Sequence, residues 1–211
     1  MEFVIDIQCL KDANDEVIPK EVAVLALDNE YIAHWIIAPP CNAHKLPEQA
    51  RKQNIWLSRN HHCLDWNDGE IARKTLYKNL QEISKHACKV YVRGREKTNI
   101  LKNAMSCEII NLEDNEKAPS FSNLPWQSQY CLFHALKQSY LTYACALNNA
   151  SRLKVWLKTN KQENPSDFAF FSDLLQLEQN EFIANFNPSE TDKQITYSGC
   201  VPSRSDSSEM A

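Results

Sequence analysis

Cys131-x-x-His134, followed eleven residues later by Cys145, carries the residue types and spacing best suited to chemistry. Two soft ligands on one turn of chain form a half-site for zinc, and a Cys on the next helical segment adds a third. A tetrahedral ion needs a fourth, for which Glu113, at the end of a strand-like run over 107–112, and Cys107 are the candidates. A second group, His61-His62 with Asp65, Trp66 and Asp68, has the types for acid–base or metal work. Adjacent loop residues rarely ligate one ion together, so this stretch reads as a loop capping the following helix. Cys63 has the type for a thiol nucleophile, and nothing else in the sequence supports that role. Lys89, Arg93, Arg95, Lys97 and Lys102 form the densest basic patch. With Tyr91 and Trp66 as neighbours, it suits single-stranded nucleic acid, where cations track phosphates and rings stack on bases.

Periodicity predicts the elements that position these groups. Phe3–Leu10 alternates as a strand, with Phe3, Ile5 and Ile7 on one face and Val4 and Asp6 on the other. Glu21–Leu27 and Tyr31–Ala38 are two more strands, joined at Asp28-Asn29-Glu30. Helices are expected over Leu46–Arg59 and Glu70–His86, then a strand at Lys89–Val92, a helix at Glu96–Ala104 and a strand at Cys107–Leu112. Segments 129–141 and 143–158 read as helical. The order β-β-β-α-α-β-α-β-α-α predicts an α/β fold: a mixed five-stranded sheet, three antiparallel strands then parallel ones, with helices on both faces. Residues 1–160 form this domain. Residues 161–211 are an acidic C-terminal extension, with an apolar helix over about 167–186 and a Ser-rich tail expected to be disordered.

Charge narrows the classes. Of 23 Lys/Arg and 27 Asp/Glu, residues 161–211 hold 3 and 9, leaving 20 and 18 for residues 1–160. The body is nearly neutral, which excludes a bulk nucleic-acid binder of strongly basic type. No apolar run is long enough to span a bilayer, and no membrane association is expected. The start, Met1-Glu2-Phe3-Val4-Ile5-Asp6, lacks a basic n-region, so the chain is expected to be intracellular, cytoplasmic or nuclear, and not secreted. The eight Cys (9, 41, 63, 88, 107, 131, 145 and 200) are then reduced thiols or metal ligands rather than disulfides.

The stretch Tyr143-Ala144-Cys145-Ala146-Leu147-Asn148-Asn149-Ala150 resembles the last signature of the DEDDh 3′–5′ exonucleases, His-x-Ala-Leu-Asp-Asp-Ala. Ala144 stands at the His position, and Asn148 and Asn149 stand at the Asp positions. The family's Asp-x-Glu on the first strand matches Asp6-Ile7-Gln8, and its second Asp matches none in Val90–Lys97. The resemblance implies an RNase H-like fold whose relic site is Asp6, Gln8 and Asn149. A neutral amide does not replace a carboxylate that holds Mg²⁺, and two-metal hydrolysis needs clustered carboxylates. The expectation is therefore a non-enzyme. If active, it would be a 3′–5′ exonuclease or single-strand ribonuclease using non-standard residues.

The Cys-x-x-His and Cys arrangement also resembles the Maelstrom domain, a degenerate DEDDh fold of small-RNA silencing with a Glu-Cys-His-Cys zinc cluster. That resemblance implies structural zinc on Glu113, Cys131, His134 and Cys145. Residues 3–157 are similar as well to an uncharacterised group of arthropod and mobile-element-like proteins, through Trp56-Leu57-Ser58-Arg59-Asn60-His61-His62-Cys63-Leu64-Asp65-Trp66 and Asn111-Leu112-Glu113-Asp114. Cys63 stands where that group has Gly. The function these resemblances imply is a catalytically degenerate, single-stranded RNA-binding or adaptor protein, in RNA silencing or a viral or mobile-element setting. The other reading is a protein-interaction module that docks a partner through residues 168–186.

Overall fold

The computed structural model describes residues 1–114, 118–126, 129–137 and 145–163, with side chains as far as 161. Strands β1 (Glu2–Lys11), β2 (Val17–Ala26), β3 (Ile32–Ile36), β4 (Lys89–Val92) and β5 (Glu108–Asn111) form one sheet in the order β3-β2-β1-β4-β5. β1 pairs antiparallel with β2 and parallel with β4. β2 pairs antiparallel with β3, and β4 parallel with β5. This is the mixed α/β sheet expected from the sequence. Helices α1 (Glu48–Leu57), α2 (Arg73–His86), α3 (Arg95–Ala104), α4 (Leu132–Leu136) and α5 (Ala146–Glu163) complete the described elements. The helix expected over 167–186 and the tail beyond it lie outside the described residues. No described helix is long and apolar enough to cross a membrane.

β1 is the central strand, so both its faces are covered. Period-two alternation sets Val4, Asp6 and Gln8 on one face, beside Leu25, Ala23 and Glu21 of β2, which are their registered partners. α5 packs on this face: Leu147, Ala150, Leu153 and Leu157 join Val4, Ala23 and Leu25 in one buried cluster. The face thus carries an apolar floor with two acids, Asp6 and Glu21, both fully buried.

The β1–β2 register shifts at Gln8/Cys9, where Glu21 and Pro19 are the partners and Lys20 is skipped. The skipped residue makes a β-bulge. Lys20 is almost fully buried, and its ammonium donates to the carbonyls of Ile37 (2.7 Å), Trp66 (2.7 Å) and Asp68 (2.5 Å). Three N–H donors meet three oxygens, which ties the 65–69 loop to the sheet.

Several boundaries differ from the periodicity, among them the start of β2 at Val17 and the end of α5 at Glu163, and three have a visible cause. α2 begins at Arg73, not Glu70, because Ile71 bridges Ile37 beyond the end of β3 and its carbonyl accepts from Ala38 N at 2.9 Å. Gly69 allows this approach: its φ is +88°, and a Cβ there would lie 2.6 Å from the Ile37 backbone. α1 stops at Leu57 and continues as a π-turn over Ser58–His62, closed by Cys63 at φ 54°. α4 holds only Leu132–Leu136, with Cys131 in extended conformation at its N-cap.

Candidate metal centre and the Asp6 site

Glu21 enters the α5 face from β2, and His34 reaches it from β3, where it pairs with Ala23. Cys131 and His134 come from the start of α4, and Cys145 immediately precedes α5. Ligand atoms of Glu21, His34, Cys131 and Cys145 all lie within 4.8 Å of one another. His134 joins them: its Nδ1 is 3.4 Å from Cys131 Sγ and 3.6 Å from Glu21 Oε1. Bonds of about 2.0 Å to nitrogen and 2.3 Å to sulfur give a tetrahedral zinc shell ligand–ligand edges of roughly 3.3–3.8 Å. These separations are of that size.

Hydrogen bonds orient the donors. His134 Nε2 lies 2.8 Å from the carbonyl of His62 and donates to it, which leaves the Nδ1 lone pair facing Glu21 and Cys131. Fixing one ring nitrogen on a carbonyl so that the other can ligate is the usual arrangement around a metal-binding histidine. Glu21 Oε1 is 2.7 Å from His34 Nε2, and Oε2 accepts from Ala146 N at 3.0 Å, at the first turn of α5. The helix N-terminus favours that negative charge.

Protonation in the cluster is uneven. Cys145, whose thiol donates to Glu21 Oε1 at 3.5 Å, is also the main neighbour that pulls the Cys131 pKa down to about 4, with His134 adding to the effect against burial. Cys145 is raised in return, by Cys131 and by burial. Burial lowers His134, but the Cys131 hydrogen bond and the Glu21 charge outweigh it and hold its pKa up. Two sulfurs, a carboxyl group and imidazole nitrogens thus sit together in one buried cluster, a donor set of sulfur, nitrogen and oxygen that suits zinc.

The structure brings Cys131, His134 and Cys145 close together, as expected, with Glu21 rather than Glu113 beside them. Glu113 follows β5 at the far edge of the sheet, and its carboxylate binds Arg93 at 3.0 Å. Cys107 lies beside Ser84, whose hydroxyl accepts from Cys107 N at 3.1 Å. The acid at the cluster is Glu21. One signal for it was present: Lys20-Glu21 puts adjacent charges inside an apolar strand.

Asp6 sits on the same face as Glu21. Lys97 Nζ, from the first turns of α3, bonds its Oδ1 at 2.5 Å, and Asn149 Nδ2 donates to its Oδ2 at 3.0 Å. Burial raises the Asp6 pKa, opposed by Lys97 and Asn149. Asn148 accepts from Gln129 N at 2.7 Å. Ala144 lies outside the described residues.

The basic patch divides. Lys97 is committed to Asp6, and Arg93 donates to Pro119 O as well as pairing with Glu113. Both cations stand over the Phe121 ring, at 5.2 and 5.1 Å. Lys89 is half-buried, while Arg95 and Lys102 are exposed on α3. Tyr91 and Trp66 are buried, with Tyr91 donating to Glu2 and Trp66 to Cys41 O, so neither offers a face for stacking. His62 is buried too. Its Nδ1 accepts from Leu64 N and its Nε2 donates to Cys9 O, a neutral ring whose pKa burial lowers to about 4. Asp65 and Asp68 both bind Lys137, at 2.9 and 2.5 Å.

No family model matches the chain, and no curated protein does. Among solved structures, the chain is similar to E. coli Exonuclease I, crystallised with a dT13 oligonucleotide, at 12% identity and a TM-score of 0.48. The match covers 78% of this chain and 41% of that one, so this chain spans less than half the length of the nuclease.

Proposed function

We propose that this chain is a catalytically silent protein of the DEDDh exonuclease type, braced by a metal and acting as a single-stranded nucleic-acid-binding or adaptor protein. The Asp6–Lys97 pair carries the reading. A two-metal nuclease needs several carboxylates converging on open space for cations. Here the one acid at that strand position is fully buried, with an ammonium on one oxygen and the Asn149 amide on the other. Lys97 supplies as a fixed side chain the positive charge that a divalent ion would supply.

The metal belongs at the second acid. Glu21, Cys131, His134 and Cys145 are the four residues we assign to it, and His34, bonded to Glu21 and within 4.8 Å of both thiols, is a further nitrogen donor at the same place. Zinc held there would be structural, since a site closed by four protein ligands leaves no position for substrate. These residues join β2 to the starts of α4 and α5. Single-stranded RNA is the ligand we favour, and the Maelstrom resemblance supports a setting in RNA silencing or in an element that meets it.

The test is a labelled single-stranded RNA incubated with the full chain and Mg²⁺ or Mn²⁺. Intact RNA, bound with an affinity that falls as salt rises, supports the reading. Cleavage that disappears in Asp6→Asn would overturn it.

A further inference from the structure

α1 seats itself on few large apolar residues. Its inward face carries Ala50 and Asn54, followed by Ser58 one turn on, all buried, with Leu57 half-buried against the cluster of Leu10, Ile18, Leu46 and Trp66. A polar clamp attaches the helix: the Asn54 side chain accepts from Lys11 N and donates to Lys11 O, both at 2.8 Å, as a neighbouring peptide would. Ser58 Oγ donates to Asp65 at 2.7 Å. The outward face carries apolar residues too, with Ile55 51% and Trp56 55% exposed. Ile55 borders a small cavity with Leu46 and Trp66, whereas Trp56 does not line it and leaves its ring open to solvent.

The charges on that face have one dominant sign. Helical spacing sets Arg51, Ile55 and Arg59 in one row and Glu48, Lys52 and Trp56 in the next. Lys52 is paired with Glu48, at 2.6 Å. Arg51 and Arg59 are exposed, and neither has an acidic partner among the described residues. Residues 1–160 are nearly neutral, with 20 Lys/Arg against 18 Asp/Glu, so two guanidinium groups flanking a Trp are a local concentration of positive charge. The indole is also held in place, with the His61 ring of the π-turn 4.7 Å from it and tilted by 57°. Arg51 lies on α1 and Arg59 in the π-turn that follows it, with Trp56 between them in sequence.

We infer that the outer face of α1 is a docking platform for single-stranded nucleic acid, with a base stacked on Trp56 and phosphates on Arg51 and Arg59. This inference rests on the nucleic-acid reading above and moves the contact away from the α3 patch, where Lys97 and Arg93 are already engaged. A single strand is the occupant because its bases have free faces, which a duplex keeps in its own stack. Guanidinium groups suit phosphate oxygens by geometry as well as charge.

The test is fluorescence anisotropy of a labelled oligouridylate of about ten nucleotides, with the full chain, at about 50 and 200 mM salt. Trp56→Ala is expected to weaken binding about tenfold or more. Arg51→Glu with Arg59→Glu is expected to weaken it and flatten the salt slope by about 1.4, the share of two single-strand phosphates. Arg95→Glu with Lys102→Glu, on α3, should retain most of the affinity. All five positions are exposed, so unchanged melting temperatures verify folding. If the two α1 variants bind like wild type while the α3 variant fails, the platform is refuted and the nucleic-acid reading survives. If the wild type binds no oligonucleotide at either salt, both are refuted. A protein ligand lost on Trp56→Ala, with RNA affinity unchanged, also refutes the platform.

Discussion

Lys97→Met tests the Asp6 site directly. It keeps a four-atom apolar stem and removes the ammonium from a carboxylate that has no solvent exposure. Removing one partner of a buried ion pair costs about 3–5 kcal/mol. For a chain of this size that is a fall in melting temperature of roughly 6–20 °C, at about 2–4 °C per kcal/mol. The loss should depend on pH. Burial already raises the Asp6 pKa above 3.8 in the folded state, and without Lys97 it should rise further. A carboxyl with a raised folded pKa favours folding below its unfolded pKa, and that contribution disappears as pH rises through the folded value. The deficit of Lys97→Met should therefore be small near pH 4 and grow toward pH 8, read by urea unfolding followed through tryptophan fluorescence. Adding Asp6→Asn should recover most of the loss, since a neutral amide still accepts from Asn149. A pH-independent deficit, or a double variant as unstable as the single one, refutes the claim that Lys97 neutralises Asp6.

Protein purified without chelator is expected to hold about one zinc per chain; Glu21→Gln and Cys131→Ser should each abolish it and lower the melting temperature, while Glu113→Gln leaves the metal content unchanged. Gly69→Ala places a Cβ 2.6–2.7 Å from the Ile36 and Ile37 backbone at φ +88°, and should destabilise the fold by about 1–3 kcal/mol or more in denaturant titration. His62 has a folded pKa lowered from 6.5 to about 4, so its contribution is present above pH 6.5 and lost as pH falls through about 4. His62→Gln should make the fall in stability across that window shallower, measured as denaturation midpoints at stepped pH.

The sheet was legible because apolar, β-branched runs mark its strands and Asp/Asn turns separate the first three. Contacts across the fold were less so. Lys97 reads as one cation of a surface patch, yet its partner lies 91 residues earlier, and nothing local marks the pair. Trp66 and Trp56 look alike in sequence, but one ring is buried with its indole N–H on Cys41 O and the other faces water. The α2 start was missed because Ile71 fits a helical stripe equally well and is taken by a bridge to Ile37. Glu113 was named from chain position and resemblance, and Glu21 was not considered, because nothing near it in sequence marks its approach to Cys131 and Cys145 across the fold. Cys131-x-x-His134 survived because a capped helical turn brings those two positions together wherever it occurs.

The cluster around Glu21 also orders events during synthesis. All five strands are complete by Asn111, but Cys145 stands 124 residues after Glu21 and is the last donor to leave the ribosome. A nascent chain paused before it can assemble the sheet with a carboxylate buried on one face and no thiols to meet it. Closing so long a loop is worth several kcal/mol when a cross-link does it, about 4.7 kcal/mol for a loop of 100 residues. Capture of a metal by Cys131, His134 and Cys145 would thus act as a late latch. Shortage of the metal would then show first in newly made protein, as a pool that has its strands but is degraded before α4 and α5 lock onto them.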